Sequence, residues 1–220
     1  MLERWVVGKI FWLDDRLIFP DHVYANSDGV IALGGDLSVD RLLLAYSNGI
    51  FPWYNEGEPI VWWSPPRRFL LFLDEVRVGR SLKKFLKKNT YKVTFDKEFD
   101  KVIENCSALR QESGTWITRE MLGAYKALYK EGYAHSVEVY DDGELVGGLY
   151  GISLGRYFCG ESMFSIKKNA SKVALLFLCE RLKALGFSFI DCQVYTEHLE
   201  RMGAREVDRE EFLRILEGVN

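Results

Sequence analysis

Long apolar runs, metal-ligand spacings and an overall basic charge are all missing from this 220-residue chain. No apolar run reaches the roughly 18 residues that a membrane-spanning helix needs. The stretch MLERWVVGKIFWLDD meets charges too early for a secretory signal, so a cytoplasmic protein without membrane contact is expected. The four cysteines, Cys106, Cys159, Cys179 and Cys192, form no CxxC pair and lie in apolar segments, which points to reduced core thiols. Three histidines without HExxH spacing argue against a metal site. A net charge of -3 removes any whole-chain argument for nucleic-acid binding.

What is present is an ordinary folded-protein composition, 48% hydrophobic and 28% charged, over a length that suits one large domain or two small ones. The charge is unevenly spread. From Val76 to Lys92 there is no acid, but there are Arg77, Arg80, Lys83, Lys84, Lys87, Lys88 and Lys92. Ser81 is the expected cap of a helix there, with Leu82, Phe85 and Leu86 packing inward and Lys83, Lys84, Lys87 and Lys88 displayed outward. Such a face binds phosphates without reading bases. It is equally what a merely solvated surface looks like.

Capping residues and hydrophobic periods give a coarse order of elements. Gly34-Gly35-Asp36 reads as a tight turn, and Ser38 as the cap of a helix carrying Leu42, Leu43 and Tyr46 up to Gly49. Thr118 caps a second helix whose stripe is Met121, Leu122, Tyr125, Leu128 and Tyr129, ending at Gly132. From His135 the period changes to strands: HSVEVY, LVGGLYGISL and YFCGESMF form a meander. A helix capped by Asn169, with Val173, Leu176, Phe177 and Cys179 inside, leads to Gly186 and a strand FSFIDCQV. Helix and strand order around an antiparallel meander predicts an α+β fold with an acetyltransferase-like (GNAT-like) C-terminal pattern.

Glu161, Asp191 and Gln193 stand out because each sits in an apolar run, where a lone polar group needs a partner or a task. Asp191 and Gln193 are two apart on an expected strand, so their side chains are expected on one face. A buried hydrogen bond that fixes the strand is the plainer reading.

The motifs GVIALGGDLSVDRLLLAYSNGIFPW, WWSP, GTWI, AHSVEV, LVGGLYG, FCGESMFS, NASKVAL and IDCQV occur in order. Together they resemble the leucyl/phenylalanyl-tRNA–protein transferases, from about Phe19 to about Phe212. Departures are WWSPPRR for the usual WWSPDPR, EVY for EVW and HLERMGA for HLASLGA. The resemblance implies an enzyme that moves Leu or Phe from Leu-tRNA or Phe-tRNA onto proteins with an N-terminal Arg or Lys, marking them for the N-end rule degradation pathway; a monomer is expected, although the sequence leaves the oligomeric state open. It implies a small loop-rich N-terminal domain (1–62) packed on an acetyltransferase-like catalytic domain (63–220).

By the same resemblance Asp191 and Gln193 are the catalytic pair. Leu149, Phe158 and Leu175 line the pocket for the donor side chain, and Tyr46, Trp53 and Trp116 are aromatics at the substrate cleft, where rings can stack on the terminal adenosine. Glu161 would take the cation of the acceptor's N-terminal residue, with an ion pair to Arg156 or a lysine as the alternative. Arg80, Lys83, Lys84, Lys87 and Lys88 would hold the tRNA backbone. An aminoacyl ester is already activated, so no cofactor and no covalent enzyme intermediate is expected.

Two other classes stay open on the residues alone. An acyl-CoA-dependent acyltransferase would suit the C-terminal pattern, but the junction SIKKNASK has no glycine to cradle a pyrophosphate. A non-catalytic RNA-binding module would explain the basic island and the aromatics, but not Glu161, Asp191 and Gln193.

Overall fold

The computed structural model describes residues 6–7, 10–88, 91–109 and 117–219. The first strands are β1 (Val6–Val7), β2 (Ile10–Leu13) and β3 (Val30–Gly34). After them come helix α1 (Val39–Ser47), β4 (Phe51–Pro52) and β5 (Val61–Trp63), and the strands make a sheet in the order β1-β2-β3-β5-β4. Gly34 and Gly35 both take left-handed φ, 73° and 74°, and turn the chain toward α1. Ser38 caps α1 by accepting from the Arg41 N–H, as its position predicts.

The rest of the chain builds a second, larger sheet. Its elements are β6 (Arg67–Phe72), α2 (Arg80–Leu86), β7 (Lys92–Phe95), α3 (Phe99–Ala108), α4 (Arg119–Lys130), β8 (Ala134–Asp141), β9 (Glu144–Leu154), β10 (Tyr157–Ser165), α5 (Ala170–Ala184), β11 (Phe189–Asp191), α6 (Glu197–Arg201), β12 (Arg205–Asp208) and α7 (Arg209–Glu217). The strand order is β12-β6-β11-β10-β9-β8-β7. Among the described residues of this sheet only β10 and β11 pair in parallel, and α5 is the crossover that parallel pairing requires. The expected α+β, acetyltransferase-like order of meander, helix and strand is present, and the structure adds that the last strand pairs in parallel.

The two faces of the larger sheet bury different layers. Val137, Leu149 and Phe158 pack on α5, while Tyr150, Tyr157 and Cys159 pack toward α3, α4 and the first sheet. Alternation is interrupted once on β10. Gly160 pairs with Gly151 and Ser162 with Tyr150, so Glu161 is the extra residue of a bulge. Beyond it Phe164 returns to the face that Tyr157 and Cys159 share.

Several expected details differ. Ser81 lies inside α2, whose cap position is Gly79, because helical geometry already begins at Arg80. Asn169 stands at the start of α5 but has left-handed φ of 63° and makes no side-chain cap. Phe177 faces solvent. The strand FSFIDCQV shrinks to Phe189–Asp191, because the Phe187 N–H still closes α5 on the Leu182 carbonyl and Gln193 takes φ of 64°. The Thr118 cap, the α4 stripe and the meander stand as expected, and the four cysteines are free thiols.

Candidate active site

Pairing between β10 and β11 ends at Cys159 and Asp191, although β10 runs on to Ser165. At that fork a cavity of about 320 Å³ passes through the sheet. On the α5 side its walls are Leu149, Phe158, Leu175 and Leu178; on the other are Glu161, Gln193 and Tyr150, with Phe51, Pro52 and Trp53 contributed from the first sheet. One half is hydrocarbon and the other carries hydrogen-bonding groups. That division suits a ligand with an apolar side chain and a reactive polar head.

Polar groups at the fork form one connected chain. Arg68 grips Asp191 with two hydrogen bonds, Nε to Oδ1 at 2.8 Å and Nη2 to Oδ2 at 2.6 Å. The same Asp191 Oδ1 accepts the Gln193 N–H at 2.9 Å, which fastens the left-handed turn after β11. Gln193 Nε2 then donates to Glu161 Oε1 at 2.8 Å. The other carboxylate oxygen, Oε2, accepts from the Tyr125 hydroxyl at 2.9 Å, and the Tyr125 and Tyr46 hydroxyls are hydrogen-bonded at 2.6 Å.

Burial sets the electrostatics. Glu161 is 8% exposed. Loss of solvent pushes its carboxyl up to about 7, against the pull of the Tyr125, Tyr46 and Gln193 hydrogen bonds, and the charge of Asp191 adds to the rise. Burial on its own would lower the Arg68 guanidinium, but the charge and hydrogen bonds of Asp191 outweigh it and hold it above its usual range. Arg68 is further sandwiched between the rings of Phe51 and Phe212, at 4.6 and 4.7 Å. Asp191 is fully buried behind this clamp and is not part of the cavity wall.

The expected site residues therefore divide. Glu161, Gln193, Trp53, Leu149, Phe158 and Leu175 come together on the cavity wall. Asp191 and Gln193 do not share a strand face, because the chain turns between them, and Asp191 touches the Gln193 backbone rather than its side chain. Tyr46 is buried with its hydroxyl on Tyr125, so its ring offers no stacking surface. Trp53 is 42% exposed at the cavity rim. Trp116 lies outside the described residues. Glu161 bonds to Tyr125 and Gln193 rather than to Arg156, whose Nη2 donates to the Gly218 carbonyl. Arg80, Lys83, Lys84, Lys87 and Lys88 are all exposed on or just after α2.

Arg68 and Tyr125 are site residues that the sequence does not single out. A signal exists for each: a buried acid needs a cation, and a tyrosine on a helix's core stripe needs a partner for its hydroxyl. His198 and Ser162 also line the cavity, and the buried His198 Nε2 and Ser162 hydroxyl have no hydrogen-bond partner among the described residues. Burial, then Lys172 and Arg201, lower the His198 imidazole and keep it neutral at pH 7. Gly147 and Gly151 serve close backbone approach: a Cβ on Gly151 would come within 2.1 Å of the Cys159 carbonyl oxygen.

Comparison with known proteins follows the same outline. A sequence profile described as "Leucyl/phenylalanyl-tRNA protein transferase" matches residues 70–217, and that of its N-terminal domain matches residues 35–66. A curated leucyl/phenylalanyl-tRNA–protein transferase from Flavobacterium johnsoniae is 53% identical over 209 residues, covering 94% of this chain and 99% of that protein. One from Thermodesulfovibrio yellowstonii is 55% identical over 208 residues, covering 94% and 85%. Among solved structures, FemX superposes with a TM-score of 0.51 at 10% identity over 81% of this chain and 71% of that one, a likeness of fold.

Proposed function

Since the chain belongs to the leucyl/phenylalanyl-tRNA–protein transferases, we propose that it moves leucine or phenylalanine from aminoacyl-tRNA onto the N-terminal Arg or Lys of acceptor proteins. It acts as a monomer, and the product is a substrate for N-end rule degradation. Aminoacyl transfer to protein is the family's reaction. The observation that carries the finer reading is the fork between β10 and β11, where an apolar cavity meets a buried carboxylate with a pKa near neutrality.

In this reading Leu149, Phe158 and Leu175 receive the donor side chain on the α5 side of the fork, and Trp53 gives its exposed ring to the terminal adenosine. The ester carbonyl then lies by Glu161 and Gln193. The acceptor's α-amino group attacks the ester carbon, and Glu161 takes the proton that the amine loses as the C–N bond forms. Its tuning suits the task, because α-amino groups titrate at about 8 and Glu161 at about 7. Gln193 spends Nε2 on Glu161, which leaves its Oε1 to accept from the amine. The tetrahedral intermediate collapses with cleavage of the C–O bond, and the tRNA 3′-oxygen leaves as a hydroxyl with the proton that Glu161 took from the amine. The partnerless Ser162 hydroxyl and His198 Nε2 hydrogen-bond to polar atoms of the substrates.

Asp191 and Arg68 act one step back: they hold the turn that presents Gln193. The negative charge of Glu161 also favours a basic N-terminal residue. Arg80, Lys83, Lys84, Lys87 and Lys88 hold tRNA phosphates. The small N-terminal domain, 1–62, supplies the lip that carries Trp53. The test is transfer of radiolabelled leucine from Leu-tRNA to peptides beginning with Arg, Lys or Ala. Labelling confined to the Arg and Lys peptides supports the reading, and equal labelling of the Ala peptide overturns the acceptor assignment.

A further inference from the structure

A second cavity, of about 110 Å³, lies farther along α5 and shares two wall residues with the first, Phe158 and Leu178. Helical spacing explains the arrangement. Leu175 and Leu178 face the first cavity, whereas Leu178, Arg181 and Leu182 face the second, so one row of α5 roofs both. The two spaces are neighbours that share a leucine and a phenylalanine as their common wall. Both side chains are buried, and the Phe158 ring lies so close over Gly151 that a Cβ there would approach its Cε1 to 2.4 Å.

The chemistry changes across this wall. Before it the α5 side of the first cavity is hydrocarbon; beyond it stand Ser136, Ser153, Arg181 and the Asp96–His135 pair, whose Oδ2 and Nδ1 are 2.9 Å apart. Resting on the donor-pocket reading, we infer that Phe158 and Leu178 are a partition that sets the length limit of the donor side chain. The second cavity is then an extension for a bicyclic aromatic side chain with a polar tip, the indole of tryptophan being the natural example. In the intact protein the outer ring of an indole meets the partition, and its N–H is buried against carbon without an acceptor. Without the Leu178 tip, the ring passes through and the N–H reaches the serine hydroxyls.

The test is a competition between Leu-tRNA and Trp-tRNA for one peptide beginning with Arg, read as a product ratio by mass spectrometry, so that a partly destabilised enzyme still reports. Leu178→Ala is expected to raise the Trp to Leu ratio at least about 10-fold, the discrimination ordinarily carried by a small change in pocket size. Leu178→Phe thickens the partition and should lower the Phe to Leu ratio by a similar factor; it carries the test if the alanine variant does not fold. Leu175→Phe is the control, because it fills the first cavity from its own wall. If Leu175→Phe changes donor selection and neither Leu178 variant does, the partition is overturned and the donor pocket stands. If all three fold, as judged by thermal unfolding, and none changes donor selection, the donor-pocket reading falls with it.

Discussion

Replacing Glu161 with glutamine separates the charge of the site from its shape. The new amide oxygen can still accept from Gln193 Nε2, and its NH₂ can donate to the Tyr125 oxygen once that hydroxyl turns toward Tyr46, 2.6 Å away. What disappears is the ionisation. The Glu161 carboxyl titrates near 7 in the fold against an ordinary 4.5, so the folded state holds its proton more tightly than the unfolded chain does. The stability from this group is therefore fully present below about pH 4.5 and is lost as pH rises through about 7, a total of roughly 3 kcal/mol at 1.36 kcal/mol per unit. Urea unfolding of both proteins at pH 5 and pH 8 isolates this contribution, because the other groups cancel in the double difference. The variant should gain on the wild type by up to roughly 3 kcal/mol between those pH values. Transfer should fall by about 10²–10⁴-fold, and the limb of the pH–rate profile near 7 should vanish, leaving only the acceptor amine's own titration near 8. A variant that keeps the wild-type rate and that limb refutes Glu161 as the proton acceptor; a stability difference that does not vary with pH refutes its raised pKa.

Arg68→Met leaves Asp191 buried without its cation and should remove about 3–5 kcal/mol of stability, visible as a lower Tm. Arg68→Lys should recover part of that loss but not the two-point grip on Asp191, so kcat falls more than KM rises; an unchanged kcat would remove Arg68 from the positioning of Gln193. Replacing Lys83, Lys84, Lys87 and Lys88 together by glutamine should raise KM for aminoacyl-tRNA and leave KM for the peptide alone. The log–log salt slope should flatten by about 0.7–0.9 for each phosphate no longer neutralised, and an unaltered slope would assign that face to solvent. Gly151→Ala forces a methyl to 2.1 Å from the Cys159 carbonyl and should destabilise by about 1–3 kcal/mol or more; a wild-type Tm would show that the strands can part there at no cost.

Where one side chain or one period decides the structure, the sequence can be read directly. Thr118 caps α4 because its hydroxyl meets the Met121 N–H one turn on, and alternation in HSVEVY and YFCGESMF yields strands because each lies between α5 on one face and α3 on the other. The site residues Glu161 and Gln193 are visible as polar groups in apolar runs. Their geometry is not, because a strand period cannot announce a bulge at Glu161 or a left-handed Gln193. Arg68 is hidden for another reason. Its partner is 123 residues away, and only alternation on β6, a strand that the sequence does not announce, separates it from the exposed Arg67 beside it. Tyr46 is set at the cleft by the resemblance alone, whereas its place on the helix capped by Ser38 suits the buried ring and inward hydroxyl that the structure has.

The long reach from Arg68 to Asp191 has a consequence for the protein as it leaves the ribosome. At about 5–20 residues per second, β6 is made roughly 6–25 s before Asp191, and its two neighbours in the finished sheet, β11 and β12, are made only after the whole meander of β8 to β10. For that interval RRFLLF is an apolar strand with both edges bare, the kind of segment that seeks partners on other chains. The arginines at its head are then gatekeepers. One of them, Arg68, becomes the anchor of Asp191 only once β11 has been made.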